Sequence, residues 1–172
     1  MAKFIFGFLF AVLVIAVGGY LYFSLGLAPV ATAAAPMPFE TMLAKAALRK
    51  AVSREMPQAV PLTASEENFV AGAHAYRTHC AVCHGLPGQP ETAVGKGEFP
   101  KPPQLFKGKG VSDDPPGETY WKIANGIRLT GMPAFQQSVS SEQMWQMSLL
   151  LANSNKLSDN VKAQLAIPLT IQ

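Results

Sequence analysis

Cys80-Ala81-Val82-Cys83-His84 sets the chain's two cysteines about one helical turn apart, with one of its three histidines directly behind them. The pattern C-x-x-C-H is the attachment motif of a c-type haem. Two thiols at this spacing can each form a thioether to one porphyrin, and the next residue then presents an imidazole to the iron. Three other chemistries share part of the pattern. A structural disulfide can close a C-x-x-C in an oxidising compartment. A thioredoxin-like pair has the same spacing but belongs beside a strand–helix–strand pattern and has no use for His84. A zinc site would need His74 and His79 as awkward extra ligands, since no further cysteine exists. Haem is the reading that uses all three motif side chains.

Outside the motif, the N-terminus is the most distinctive segment. Phe4 to Leu27 holds no charged residue, and as a helix it would span roughly 36 Å against a hydrocarbon core of about 30 Å. Tyr20, Tyr22 and Phe23 suit an interfacial aromatic belt near its outer end. Ala31-Thr32-Ala33 offers a signal-peptidase site, but the apolar run exceeds an ordinary signal-peptide core. The expectation is therefore an uncleaved anchor in contact with membrane lipid through residues 4–27. Lys3 lies on one side, and Lys45, Arg49, Lys50 and Arg54 lie well beyond the other. Charge counting alone would turn those later residues inward, although they sit at the edge of the rule's range.

Residues 28–62 read as a tether, opening with the Ala/Pro stretch 28–38. A helix is expected over 39–56, with Pro38 as its first residue and Pro57 as its stop. Phe39, Met42, Leu43 and Ala46 form an apolar stripe among basic residues. Such a helix is either a solvated spacer or a basic amphipathic element on headgroups or a partner. From 63 to 172 the pattern is all-α and rich in Gly/Pro loops. Thr63 and Glu66 form an expected capping box for a helix running into the motif. Further helices are expected at about 117–125, from Ser140 or Ser141 to about Asn153, and after Ser158. Loops are expected at 85–115 and 126–139.

The loop after the second of these helices carries Gly131-Met132-Pro133, 48 residues past His84. A thioether is a soft ligand that favours ferrous iron and raises the reduction potential. Among seven methionines, Met144 and Met147 fall on a helix where core packing is the better reading, and Met37 and Met56 precede the motif. Met132 is thus the expected sixth ligand. His79 adjoins Cys80 and is not expected to reach the opposite side of the ring.

Taken together, Gly72 and Tyr76 before the motif, Cys80-x-x-Cys83-His84-Gly85, Pro102-Pro103-Gln104-Leu105, and Trp121…Asn125-Gly126-Ile127-Arg128…Thr130-Gly131-Met132-Pro133 resemble a membrane-anchored class I mono-haem cytochrome c. The resemblance covers about residues 65–153. It implies the class I fold, a few short helices around one haem c bound through Cys80 and Cys83, with electron transfer as the function. It implies attachment outside the cytoplasmic membrane of a bacterium, with the N-terminus inside. It implies that the Pro103 carbonyl accepts the Nδ1–H of His84. In that family an aromatic of the last helix packs on the first helix's Gly; here the position falls on Leu150. Arg128 and Trp121 become candidates for contacting a haem propionate.

No paired carboxylates, nucleophile–base pair or phosphate loop is visible, so neither catalysis nor a small-molecule substrate is expected. A net charge of +3 without a basic-aromatic run gives no nucleic-acid footprint. Expected partners are redox proteins, as for a tethered carrier or a subunit of a respiratory or photosynthetic complex. A haem sensor with a labile sixth ligand is the competing class. Lys96, Lys101, Lys107 and Lys109 form either a docking rim or, with Asp113, Asp114 and Glu118, a mixed solvated surface.

Overall fold

The computed structural model describes residues 1–108 and 111–169; Lys109 lies outside them. Among the described residues every regular element is helical. The chain divides into two compact units, Met1–Leu43 and Ala44–Gln172.

In the first unit, helix α1 (Ala2–Ser24) has mean hydropathy 2.5 and is long and apolar enough to cross a membrane. None of its side chains is buried, which for a soluble protein would leave an apolar surface far beyond ordinary patches. It starts two residues earlier than the uncharged run and ends at Ser24, with Leu25 and Gly26 turning the chain. Helix α2 (Glu40–Glu55) then begins. Pro38 does not open it, because Phe39 sits in the left-handed region at φ 64° and breaks the helical path. Glu40 secures the start instead, its carboxylate accepting from the Met37 N–H at 2.8 Å.

The second unit starts well upstream of residue 63. Val52 is buried, Glu55 accepts the Trp121 indole N–H at 3.3 Å, and the Pro57 carbonyl lies over Gly117 so closely that a β-carbon there would be 2.0 Å from its oxygen. The end of α2 and the following turn are therefore packed on the haem-motif domain, not strung out as tether.

Helix α3 (Glu66–His79) is capped by Ser65, whose hydroxyl accepts from the Asn68 N–H. The expected Thr63–Glu66 box is not formed: Thr63 contributes its carbonyl, which accepts from the Ser65 N–H and the Asn68 side chain. Ser65 has Glu66 and Glu67 behind it in the first turn, where they complement the helix dipole. A short turn, α4 (Ala81–His84), carries the motif. The loop expected at 85–115 contains a further turn, α5 (Ala93–Gly97), capped by Thr92. Helices α6 (Pro116–Asn125), α7 (Ser141–Ala152) and α8 (Asp159–Ala166) fall where the sequence places them. Ser140 and Gln143 close a full capping box on α7, and Ser158 caps α8.

The core forms where α7 crosses α3 and α6, with α8 against α3. Tyr76, Met147, Leu150 and Leu151 are among its most buried side chains, each contributing about 1.5–3 kcal/mol on removal from water. Met144 and Met147 are core residues, as their helical spacing suggests. At the α3–α7 crossing, a β-carbon on Gly72 would lie 2.4 Å from the Gln146 carbonyl oxygen and 3.2 Å from the Leu150 β-carbon. Leu150 thus occupies the position facing the first helix's Gly. With no ring to act as spacer, backbone meets backbone. Tyr120 and Trp145 stack at 4.2 Å where α6 meets α7.

Candidate haem site

The motif turn is pinned from behind. Tyr76 donates its buried hydroxyl to the Gly85 carbonyl at 2.8 Å, and its ring meets Phe106 edge-on at 5.0 Å. Burial pushes the Tyr76 hydroxyl's pKa up, so it stays a donor. Gly85, at φ 72°, lets the chain leave α4 directly after His84. Cys80, Cys83 and His84 consequently line one cleft with Glu98, Pro103, Ile123, Ile127, Met132 and Phe135. The cleft encloses about 650 Å³ of space including its open mouth.

His84 Nδ1 lies 2.8 Å from the Pro103 carbonyl oxygen. A carbonyl only accepts, so Nδ1 carries the proton and Nε2 keeps a lone pair. Burial lowers the His84 pKa, opposed by the Pro103 carbonyl and the Glu98 charge. The neutral imidazole is the ligating form, and such a bond to the second nitrogen fixes ring orientation.

Met132 is held by its own backbone. Its N–H donates to Thr130 Oγ1 at 3.1 Å, and its carbonyl accepts from the Ile127 N–H at 3.2 Å. The Phe135 N–H reaches back to the Ile123 carbonyl, tying the loop to the end of α6. Gly126 makes the reversal possible: at φ 64°, a β-carbon would sit 2.7 Å from Ala134 N and 2.8 Å from the Met132 oxygen. The structure therefore brings Cys80, Cys83, His84, Pro103 and Met132 together. It does not bring in Trp121, which bonds Glu55 outside the cleft lining, or Arg128, which is exposed on the turn beyond Gly126. His79 does line the cleft, its ring 5.9 Å from Phe135.

Glu98 is the residue that the motifs do not reveal. Its carboxylate accepts from the Cys83 thiol at 2.9 Å. Burial first, and then this carboxylate, push the Cys83 pKa up to about 11. Burial pushes Cys80, whose sulfur is 3.7 Å from that of Met147, up to about 12. Only a small thiolate fraction exists at pH 8, roughly one part in 1,000 for a group near 11. In the haem-free chain both thiols should therefore alkylate far more slowly than free cysteine at that pH. The rate should climb as pH rises toward 11, Cys83 reacting before Cys80. Mass mapping of iodoacetamide adducts against pH checks this, and fast labelling of Cys80 at pH 8 would refute it.

The donor set passes the test for a c-type haem. Two sulfurs, a neutral imidazole of fixed tautomer and a thioether line one apolar cleft, and none is committed to a disulfide. Among the described residues no cluster of three or more His, Cys, Asp or Glu could hold a bare metal ion, so the zinc reading has no ligand set. This helical fold around a C-x-x-C-H turn defines a cytochrome c domain. Residues 67–149 match the family described as cytochrome c oxidase, cbb3-type, subunit III, which identifies that stretch as a class I-type c-type cytochrome domain and implies haem c and electron transfer. No curated protein matches the chain. Among solved structures, the reducing HAO-like protein complex of Kuenenia stuttgartiensis is similar at 22% identity and a TM-score of 0.48, over 61% of this chain and 54% of that one. The chain thus spans about half the length of that solved chain.

Proposed function

We propose that this protein is a membrane-anchored electron carrier or electron-transfer subunit, with one haem c bound covalently through Cys80 and Cys83 and ligated by His84 and Met132. The observation that carries the reading is the shared cleft: the motif turn and the Met132 loop, far apart in sequence, line one apolar cavity. The haem would supply the one-electron chemistry, and His84 and Met132 would be the residues that hold its iron, in competition with any small-molecule ligand. Pro103 holds the His84 tautomer, and Thr130 and Gly126 set the Met132 backbone. Ile123, Ile127 and Phe135 keep the cleft apolar. Arg128 is exposed on the turn beyond Gly126, whereas the Trp121 N–H is already committed to Glu55.

Helix α1 supports anchoring in the cytoplasmic membrane, and haem c attachment supports an extracytoplasmic position for the domain. The family description names an oxidase subunit, so redox proteins of a respiratory complex are the partners we infer. Lys96 and Lys107 are exposed, while Lys101 pairs with Glu91 at 2.8 Å. This favours a mixed surface over a uniform basic rim.

The test is expression with and without an extracytoplasmic haem-attachment system, followed by denaturing electrophoresis with haem staining. Haem should stay with the full-length band in membranes and vanish when both Cys80 and Cys83 are replaced by Ser. Haem removable by acid-acetone from the unsubstituted protein would overturn covalent attachment. Rapid carbon monoxide binding by its reduced form would favour a sensor.

A further inference from the structure

The Glu98 side chain occupies a place in the cleft that no haem-binding motif requires. It approaches both halves of the site at once. One oxygen accepts from Cys83 Sγ at 2.9 Å, and the other lies 2.5 Å from where a β-carbon on Gly131 would stand, next to Met132. Glu98 is half-buried, and its charge is felt at His84, where it opposes the effect of burial. Among the described residues, Lys101 is the other charged side chain that lines the cleft apart from histidine, and it is paired with Glu91.

We infer that Glu98 is a potential-setting residue: its fixed negative charge inside the haem cleft favours the ferric over the ferrous state. This rests on the haem reading above. Once Cys83 carries a thioether, it could no longer donate to Glu98, so the carboxylate would be left beside the sulfur that holds the haem without that donor. The iron gains one electron on reduction and loses one unit of positive charge, so a nearby anion holds the oxidised form. Unit charges within several ångströms, at the effective dielectric of a protein, shift an equilibrium by tenfold or more.

The experiment is a mediator-poised redox titration at pH 7 of the full chain in detergent, comparing unsubstituted protein, Glu98→Gln and Glu98→Asp. In each, the long-wavelength ferric band of iron–methionine ligation is recorded as well. Glu98→Gln should move the ferric–ferrous equilibrium about tenfold toward ferrous, a rise of about 59 mV for one electron, with the band retained. Glu98→Asp keeps the charge and should return most of that shift. Equal potentials for Glu98→Gln and the unsubstituted protein would overturn the proposal, as would equal shifts in the two variants or a shift accompanied by loss of the band. Absence of bound haem from the unsubstituted protein would instead overturn the haem reading itself.

Discussion

Met132→Ala should leave the haem attached but lacking its methionine ligand, and this is the largest change expected from any single substitution. Met132 belongs to a loop whose geometry is set by backbone: Gly126 permits the reversal, Thr130 Oγ1 accepts the Met132 N–H, and Phe135 ties the far end to α6. Truncating the side chain disturbs none of these, so the fold should survive while the chemistry changes. The ferric long-wavelength band should disappear, and the reduced protein should bind carbon monoxide quickly. Axial ligands and their surroundings spread haem potentials over roughly 0.8 V, so a fall on the order of a hundred millivolts or more is expected from losing the thioether. Steady-state electron flux in membranes carrying the variant should collapse with it. An unchanged band would show that another methionine supplies the sixth ligand; loss of the band without carbon monoxide binding would point to a replacement ligand, and His79 is the first to examine because it shares the cleft.

The second large effect is on stability. Gly72→Val places carbon where α3 and α7 touch, 2.4 Å from the Gln146 oxygen and 2.8 Å from its carbonyl carbon. Both are backbone atoms of a helix and cannot rotate aside. The helices must part, loosening the contacts of Tyr76, Met147 and Leu150 beneath them. Overpacking of this kind costs about 3 kcal/mol, which for a domain of this size lowers the midpoint by more than about 10 °C. Thermal unfolding of the detergent-solubilised full chain, followed by helical circular dichroism, measures it. Gly97→Ala is the control: its β-carbon meets nothing within 4 Å, so a change within about 0.5 kcal/mol is expected. Equal losses in the two variants would mean that the crossing does not set the cost, since both replacements raise helix propensity over Gly.

Much of this architecture can be read from the chain because it is encoded locally. The C-x-x-C-H turn, the Gly-Met-Pro loop and the Ser140 and Ser158 caps each lie within a few consecutive residues, and the Pro103–His84 bond follows from the family pattern. What escapes reading is set by contacts between distant segments. Ser65 takes the cap that Thr63 and Glu66 advertise, two similar signals separated by two positions. The turn at Ala93–Gly97 hides among glycines and prolines, although Thr92 is a visible cap. Glu98 carries no periodic or motif signature, and only the path of the chain after α5 brings it to Cys83. Around α2 the apolar stripe and the contact with the domain are separate features. Phe39, Met42 and Leu43 are exposed at 71%, 59% and 62%, while the buried contact comes from Val52, outside the stripe.

That last contact bears on where the chain can be cut. A soluble fragment trimmed to the first residue of the haem-motif helix would strip Glu55 and Pro57 from α6 and remove the buried Val52 with them. The Trp121 indole and the surface of Gly117 would then meet solvent, close to the helix that leads into the Met132 loop. A fragment starting no later than Ala44 keeps that cover in place. The segment that looks like a leash in the sequence is, at its far end, part of the housing.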